Sequence, residues 1–255
     1  NDLRTTNGGN TMGKKQLTPE EQVTRWEHIR AIENLVGKMT YYGIHCWDEK
    51  IWEEMWAKKA EDITLGFNNG YYKGAEAISG YYKASAELMK LRTEVVKAAN
   101  PDQFEGKTVE EIFGAGSLDV NNFTTPIVEL AEDMQTAKGL WYFMRGNTNY
   151  DETGIATYHQ WGWMGIDFIY EDGAWKIWHL INAEDLNFRA GTTWVEKAEP
   201  LPVLPEYAAI ADFKFPEPNV PAEVYEHWHD RRKNVDFPGV PQPYASFADT
   251  FTYGL

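Results

Sequence analysis

Three residues near the end of the first predicted helix carry side chains that can transfer protons. Tyr41, His45 and Asp48 are spaced i, i+4 and i+7, so a helix that continues through them places all three on one face. Free imidazole has a pKa of about 6.5, which suits removal of a carbon-bound proton near neutral pH. We predict that His45 is the base and that Asp48 holds its other ring nitrogen. The alternative is a polar His45 at a fraying helix end, with Asp48 only capping the next helix.

A second histidine lies in a stretch rich in aromatic residues. His159 alternates with Trp161 and Trp163, and this spacing places the three side chains on one face of a predicted strand. If that face lines a pocket, His159 is a second acid or base between indole rings, whereas the competing interpretation is a hydrogen-bonded core histidine. Asn122, or its neighbour Asn121, could donate a hydrogen bond to a developing oxyanion, and the alternative is a polar strand residue.

Other side chains are predicted to bind the substrate rather than to exchange protons. Arg145 and His179 lie near the ends of neighbouring predicted strands, where they could bind a phenolate or a carboxylate. Pairing of Arg145 with a surface acid is the alternative. Indole rings would supply apolar walls that exclude water and strengthen the polar contacts. The tryptophans predicted in these walls are Trp52, Trp56, Trp141, Trp161 and Trp163.

The sequence contains no motif that is typical of a cofactor or metal site. The segment 226–230 holds two histidines two residues apart, which share a face on a strand but not on the helix that we predict there. Neither a Gly-rich phosphate loop nor a nucleophile-elbow motif is found. We therefore predict chemistry without a cofactor and without a metal ion.

The elements that position these side chains follow from the periodicity of the apolar residues. Thr18, Pro19 and Glu21 form a capping-box pattern that predicts a helix start, and an apolar stripe then continues to Met39. Further helices are predicted from Asp48 and over 75–98. From residue 120 the period changes to two. The predicted strands are 62–67, 120–131, 135–146, 155–170 and 174–182. Three helices followed by an antiparallel meander indicate an α+β fold.

The chain divides into three predicted regions. Residues 1–17 hold almost nothing that could be buried, which is typical of a flexible leader. Residues 18–198 contain the helices and strands of one predicted domain. Nine of the 12 prolines lie in 200–255, so we predict that 199–255 form an arm of extended segments over the domain or a neighbouring subunit. One short helix is predicted in this arm, near 222–233.

Composition excludes some partners and favours others. The net charge of -15 disfavours nucleic acid and anionic membranes, and no apolar run is long enough for a membrane span. Cys46 is the single cysteine, which fits a reducing compartment, and we predict a soluble, cytoplasmic protein. The 11 Trp, 14 Tyr and 12 Phe exceed what a plain core needs. We expect these rings to line a pocket, a subunit interface or both.

Three stretches of the sequence resemble the SnoaL-like branch of the nuclear-transport-factor-2-like superfamily. Residues 28–74 resemble the opening helix pair and hairpin of that family, 121–141 its histidine-bearing strand with the strand that follows, and 166–179 its closing hairpin. Together they cover 27–182. The resemblance implies a cone-shaped α+β barrel, in which three N-terminal helices pack on a curved antiparallel sheet around a pocket for a small, largely apolar molecule.

The resemblance also implies positions for the site residues. His45 lies where several enzymes of the family carry a catalytic aspartate, and Asn122 or Asn121 where the family strand usually presents the second member of a histidine-aspartate pair. An amide cannot exchange protons at neutral pH, so any proton relay must be built differently here. The family includes dehydratases, isomerases, dehydrochlorinases, cofactor-free lyases, oxygenase small subunits and binding proteins, so the fold does not fix the function.

The function that we predict is a cofactor-independent lyase, which abstracts a proton and releases water or formaldehyde from a hydroxylated aromatic or polycyclic molecule. In this scheme His45 is the base, His159 or Tyr41 the acid, and Asn122 a hydrogen-bond donor to the substrate. The scheme requires that His45 and His159 open onto one chamber. The alternatives are a non-catalytic ligand-binding protein or oxygenase small subunit, and a ketosteroid-type isomerase. A homo-oligomer, trimer or dimer, is expected because sheets of this family associate through exposed faces.

Overall fold

The fold is seen in a computed structural model that describes residues 17–195 and 199–255. The predicted leader, apart from Leu17, and the predicted domain boundary at residue 198 lie outside the described residues. Within the described part of the chain, no helix has both the length and the apolar character that a membrane span requires.

The first helix, α1, begins at the predicted capping box. The Thr18 hydroxyl accepts a hydrogen bond from the Glu21 backbone N–H at 3.2 Å, and the Glu21 carboxylate accepts one from the Thr18 N–H at 2.9 Å. The helices are α1 (Pro19–Ile44), α2 (Asp48–Lys50), which continues into a π-helical turn (Ile51–Met55), α3 (Ala75–Ala99) and the short α4 (Ala208–Asp212). The three helices predicted from the sequence are therefore present.

Removal of the α1 cap should weaken the fold measurably. Replacing Thr18 with alanine leaves the N–H of Glu21 without its acceptor, and we expect a loss of about 1 kcal/mol in the free energy of unfolding, measured by urea denaturation. Thr24→Ala, in the interior of the same helix, is the matched control, because alanine favours a helix interior. An equal loss in both variants would show that the cap does not contribute.

Within the described residues, seven strands form one mixed sheet in the order β3-β4-β5-β6-β1-β2-β7. The pairing of β1 with β6 is parallel, and the other pairings are antiparallel. The strands are β1 (Thr64–Phe67), β2 (Gly70–Lys73), β3 (Leu118–Leu130), β4 (Thr136–Asp151), β5 (Gly154–Glu171), β6 (Ala174–Arg189) and β7 (Val220–Pro221). Helices that precede a mainly antiparallel sheet confirm the predicted α+β class.

Strands β4 and β6 extend beyond their predicted ends at residues 146 and 182, to Asp151 and Arg189. The stretch from Gly146 to Gly154 is predicted as a loop, but β4 continues to Asp151 and pairs there with Gly154 of β5. The Asp151 carboxylate accepts a hydrogen bond from the Thr153 N–H at 2.7 Å and so closes a tight turn. The extra residues extend the inner surface of the sheet beyond the apolar core.

The sheet has an inner face, covered by the helices, and an outer face. Paired residues of antiparallel strands lie on the same face. Trp141, Met164 and Asn182 pair across β4, β5 and β6 on the inner face, whereas the next row, Leu140, Gly165 and Ile181, lies on the outer face. The inner face contacts a core that includes Ile32, Trp56, Ile78, Phe143, Ile166, Phe168 and Ile177.

The C-terminal arm covers the outer face of its own sheet. The ring of Tyr253 lies over Gly165, where an added Cβ would approach it to 2.6 Å, so this contact requires glycine. The helix predicted near 222–233 is wrong: the N–H groups of Ala222 and Val224 bond to carbonyls of the β1–β2 turn, and this segment is extended. The arm thus occupies the face through which the resemblance implies association.

A buried ionic network holds the arm on this face. The Lys138 ammonium lies 2.5 Å from the Asp167 carboxylate, and both side chains are 0% exposed. The second Asp167 oxygen accepts hydrogen bonds from the Tyr253 N–H at 2.8 Å and the Thr252 hydroxyl at 2.9 Å. Burial lowers the pKa of Lys138, while the charge of Asp167 opposes that shift. The aromatic rings around the ammonium are those of Phe247, Phe251 and Tyr253.

Candidate functional site

The candidate site is a cavity of about 150 Å³ between the helices and the inner face of the sheet. A cavity of this size holds one six-membered ring. Its apolar walls are Met39, Ile51, Leu65, Phe67, Phe123, Met164 and Leu180, and its polar side chains are Asp48, Tyr81, Tyr82, Ser85, Asp119, Asn121, Arg145 and Asn182. The cavity therefore combines a small apolar space with convergent polar groups, which is typical of a ligand site.

An ion pair lies on the strand side of the cavity. Arg145 on β4 donates to both carboxylate oxygens of Asp119 on β3, at 3.0 Å from Nε and 2.6 Å from Nη2. Burial disfavours the charged guanidinium, but the charge and hydrogen bonds of Asp119 outweigh this and raise the pKa of Arg145. The side chain of Arg145 is still 37% exposed, because it lines the cavity. A fixed positive charge is thus available to a bound molecule.

Asp48 supplies a second carboxylate, on the helix side of the cavity. It is the first residue of α2 and lines the cavity. Burial raises the pKa of Asp48, and the positive charge of Arg145 and a hydrogen bond with Ser85 offset only part of that shift. A raised pKa makes the ionised carboxylate a stronger base than an ordinary aspartate. Among the catalytic residues predicted from the sequence, Asp48 is therefore the one whose position suits proton abstraction.

Tyr81 brings a hydroxyl group to the same cavity. Its ring is fixed between Phe67 at 5.3 Å, Tyr72 at 5.1 Å and Phe215 of the arm at 5.1 Å, measured between ring centroids. Burial strongly raises the pKa of Tyr81; the negative charge of Asp48 adds to the shift, and the positive charge of Arg145 opposes it. The hydroxyl therefore stays protonated near neutral pH and can donate a hydrogen bond.

Asn121, rather than Asn122, faces the cavity. Asn121 pairs with Arg145 on the inner face, and its Oδ1 atom is buried without a hydrogen-bond partner among the described residues. Asn122 is exposed on the opposite face, as alternation along β3 requires. An unpartnered buried acceptor is costly in the free protein, so Asn121 is suited to accept a hydrogen bond from a ligand.

His45 and Tyr41 lie outside the cavity, and the predicted row with Asp48 is not formed. The His45 side chain is exposed, and its ring packs on Tyr41 at 4.2 Å and Trp47 at 4.8 Å. The spacing argument requires one continuous helix, but α1 ends before His45, and Cys46 has a φ of 56°. The chain therefore turns between His45 and Asp48 and separates their side chains.

His159 lies on the outer face of the sheet. Its neighbour Gln160 pairs with Arg145 on the inner face, so alternation places His159 on the other side, where its ring packs on Phe188 at 5.2 Å. The expectation that His45 and His159 share one chamber is therefore wrong. The same alternation places two further predicted site residues on the outer face, namely Trp161 and Trp163.

The remaining predicted binding residues also lie away from the cavity. Trp56 and Trp141 are core residues, 0% and 4% exposed, and Trp52 packs beneath the Lys58 ammonium. His179 is buried on the outer face, with Nδ1 at 2.9 Å from the Asp167 carboxylate. The walls of the cavity are therefore aliphatic and phenyl side chains with two tyrosines, rather than indoles.

Five polar residues of the cavity are not among the sequence predictions: Tyr81, Tyr82, Ser85, Asp119 and Asn182. Asp119 lies in β3, which begins at Leu118 and thus before the predicted strand. Had the strand been extended by two residues, the alternation of Asp119 and Asn121 would have placed them on one face. Tyr81 and Ser85 are spaced i, i+4 on α3, which also indicates a common face. No group of three His, Cys, Asp or Glu side chains within the described ranges could hold a metal ion.

No protein-family model and no curated protein matches the sequence. Among solved structures, the chain is similar to a type 2 hexachlorocyclohexane dehydrochlorinase (LinA), at 13% identity and a TM-score of 0.48 over 70% of this chain and 98% of that chain. It is also similar to a proposed scytalone dehydratase from Novosphingobium aromaticivorans, at 14% identity and a TM-score of 0.46 over 71% and 96%. An NTF2-like protein with a cystatin-like fold from the same organism has 14% identity and a TM-score of 0.39 over 68% and 92%.

Proposed function

We propose that this protein is a cofactor-independent lyase that acts on a small hydroxylated ring inside the cavity. The observation that carries the proposal is the position of Asp48, a carboxylate with a raised pKa, in one cavity with the donors Tyr81 and Arg145. A base opposite hydrogen-bond donors is the arrangement that proton abstraction beside a carbonyl or phenol oxygen requires.

The proposed reaction is an elimination of water. Asp48 removes a proton from carbon, the electron pair of that bond forms a double bond to the adjacent carbon, and the hydroxyl group on that carbon departs. The protonated Asp48 then gives the proton to the departing hydroxide, so that water leaves and the carboxylate is regenerated. Loss of formaldehyde from a hydroxymethyl group would use the same base on the hydroxyl proton. The C–O bond then becomes the double bond of formaldehyde, the C–C bond breaks with its electron pair left on the ring carbon, and the protonated Asp48 gives its proton to that carbon.

Tyr81 and Arg145 stabilise the negative charge that develops on the substrate. Because the pKa of Tyr81 is raised, its hydroxyl donates a hydrogen bond without losing the proton. Asp119 holds the guanidinium of Arg145 in a fixed orientation, so little reorganisation accompanies the reaction. The Asn121 oxygen is placed to accept a hydrogen bond from a substrate hydroxyl.

The size of the cavity favours a substrate with a single ring. A volume of about 150 Å³ matches a benzene-sized molecule and leaves no room for a polycyclic one in this conformation. We therefore narrow the predicted substrate class to small hydroxylated rings.

Removal of the Tyr81 hydroxyl should slow the chemical step. We expect Tyr81→Phe to lower kcat by about a hundredfold with little change in KM, because the hydrogen bond strengthens as charge develops. Tyr71→Phe is the matched control, since Tyr71 is a buried tyrosine that packs with Leu140 and Ile181 on the outer face of the sheet. Steady-state kinetics on a substrate found by mass detection would measure both variants. A rise in KM alone would show that Tyr81 only binds the substrate.

The proposed function is tested by incubating the protein with single-ring hydroxylated compounds and measuring product masses. Loss of water or formaldehyde supports a lyase. A product of unchanged mass would indicate the isomerase alternative, and binding of a ring compound without turnover would indicate the non-catalytic alternative. Either of these results would overturn the proposal.

A further inference from the structure

Arg92 is a half-buried cationic side chain that has no ion-pair partner among the described residues. It lies on α3 at a spacing of i+7 from Ser85, and therefore on the helix face that lines the cavity. Its Nε is buried without a hydrogen-bond partner in the described part of the chain. Burial lowers the pKa of Arg92, and the nearby charge of Arg145 lowers it further, but a guanidinium stays protonated. Such a group is costly to bury alone, which points to an anion that completes it.

The acidic residue that most influences Arg92 is already bound elsewhere. The negative charge of Asp151 favours the charged form of Arg92 through space, but no ion pair joins them. The Asp151 carboxylate accepts hydrogen bonds from the Thr153 N–H and hydroxyl, both at 2.7 Å, and from the Tyr158 hydroxyl at 2.8 Å. These bonds hold the carboxylate in the β4–β5 turn, so it does not neutralise Arg92 by direct contact.

Two further unpartnered polar atoms lie on the inner face beside this region. Gln160 pairs directly with Arg145, and Asn149 lies four residues beyond Arg145 on the same face of β4. The Oε1 atom of Gln160 and the Oδ1 atom of Asn149 are buried and have no hydrogen-bond partner among the described residues. Asn121 and Gln160 flank Arg145 on its two sides, and Asn149 lies further along β4, so the three buried acceptors share the inner face.

The Arg92 region adjoins the cavity. Ser85 lines the cavity two helical turns before Arg92, and long side chains on a helix point back toward its N-terminus. Gln160 pairs with Arg145, which also lines the cavity. A ligand ring in the cavity can therefore extend a substituent toward Arg92.

We propose that Arg92 binds a carboxylate substituent of the substrate, which makes the substrates hydroxylated single-ring carboxylic acids. That the bound molecule is a substrate rests on the proposed function. The carboxylate site itself is defined by Arg92 and its neighbours and does not depend on that function. A guanidinium can form two parallel hydrogen bonds to a carboxylate. The amide oxygen of Gln160, beside Arg145, would accept a hydrogen bond from a ring hydroxyl.

The test compares the binding of protocatechuate with that of catechol, which lacks the carboxylate, by titration calorimetry. We expect the wild-type protein to bind protocatechuate at least about tenfold more tightly, and Arg92→Gln to lose this preference while its affinity for catechol stays within about twofold. Lys90→Gln is the matched control, because it removes an exposed positive charge from the same helix. It should keep the preference.

Thermal unfolding separates lost binding from lost folding. Protocatechuate should raise the Tm of the wild-type protein and of Lys90→Gln but not that of Arg92→Gln, whose own Tm should equal or exceed that of the wild type. A wild-type protein that does not prefer protocatechuate, whether both compounds bind or neither does, overturns the inference. So does an Arg92→Gln variant that keeps the preference.

Asp48→Asn distinguishes a failure of the proposed lyase function from a failure of the carboxylate site. Asp48→Asn should keep the preference for protocatechuate, because Arg92 remains. If no compound is turned over but the preference depends on Arg92, the carboxylate site stands and the lyase activity does not.

Discussion

Asp48→Asn is expected to lower turnover by about 10²- to 10⁴-fold while the protein remains folded. Asparagine has the shape of aspartate but cannot accept a proton, so the variant keeps the contacts of the cavity and loses the base. Asp172→Asn is the matched control, since Asp172 is an exposed aspartate whose left-handed backbone, with a φ of 52°, asparagine also adopts. Turnover of Asp48→Asn within threefold of the wild type would remove Asp48 from the mechanism.

The pH dependence of turnover is a second test of Asp48 as the base. Burial raises the pKa of Asp48, so turnover should rise with pH through a midpoint above about 3.9, the value of an aspartate in a model peptide. The residual rate of Asp48→Asn should lack this rise. A rate profile of the wild type with no ionisation above that value would contradict the role of Asp48 as the base.

We can also predict the direction in which Asp48→Asn changes the free energy of unfolding. Because the folded-state pKa of Asp48 is raised, the stability that it contributes is present below its unfolded pKa and is lost as the pH rises through the raised value. The asparagine variant does not undergo this loss. Its free energy of unfolding at neutral pH should therefore equal or exceed that of the wild type, which excludes unfolding as the cause of lost turnover.

Lys138→Met should have the largest effect on stability. It leaves the Asp167 carboxylate buried without its counter-ion, and removing one partner of a buried ion pair costs about 3 to 5 kcal/mol. It also removes the charge that attracts the rings of Phe247, Phe251 and Tyr253. We therefore expect the arm to detach before the sheet unfolds.

Urea denaturation and limited proteolysis would measure the two consequences. Lys59→Met is the matched control, because Lys59 pairs with Asp172 at the surface, where both side chains are about two-thirds exposed. Such pairs contribute about 0 to 1 kcal/mol. Equal losses in the two variants, or an arm in Lys138→Met that resists the protease as in the wild type, would show that the buried network does not hold the arm.

Local patterns of the sequence predict most elements of the fold. The capping box at Thr18 and the apolar stripe of α1 depend only on nearby residues, and the change of period near residue 120 marks the sheet. The failures are at boundaries set by distant contacts. The segment 222–233 is extended because it bonds to the β1–β2 turn and to Asp185, and no signal within the segment indicates those partners.

Periodicity predicts which residues share a face but not which face it is. His159, Trp161 and Trp163 do lie together, as their alternation indicates, but on the outer side. A strand with aromatic residues on both faces gives no local preference. The outer face is apolar here because the arm covers it, and that contact joins residues far apart in the sequence.

The predictions of site residues also succeed or fail according to how far local patterns determine the structure. Asp48 and Arg145 are predicted site residues that line the cavity, but the sequence analysis predicts Asp48 as the partner of His45 and not as the base. His45 was misplaced because its spacing from Tyr41 and Asp48 assumes an unbroken helix, which the positive φ of Cys46 interrupts. Arg92 could not be identified from the sequence, since a lone arginine on a helix shows no sign of lacking a partner.

The covering of the outer face also constrains the order of events during synthesis. Thr252 follows its partner Asp167 by 85 residues, so β4 and β5 leave the ribosome long before the residues that enclose Lys138. Until those residues emerge, the nascent chain carries this ion pair on a face that is open to water. A premature stop codon shortly before Phe247 would therefore yield a chain with every strand of the sheet but with this buried ion pair open to water.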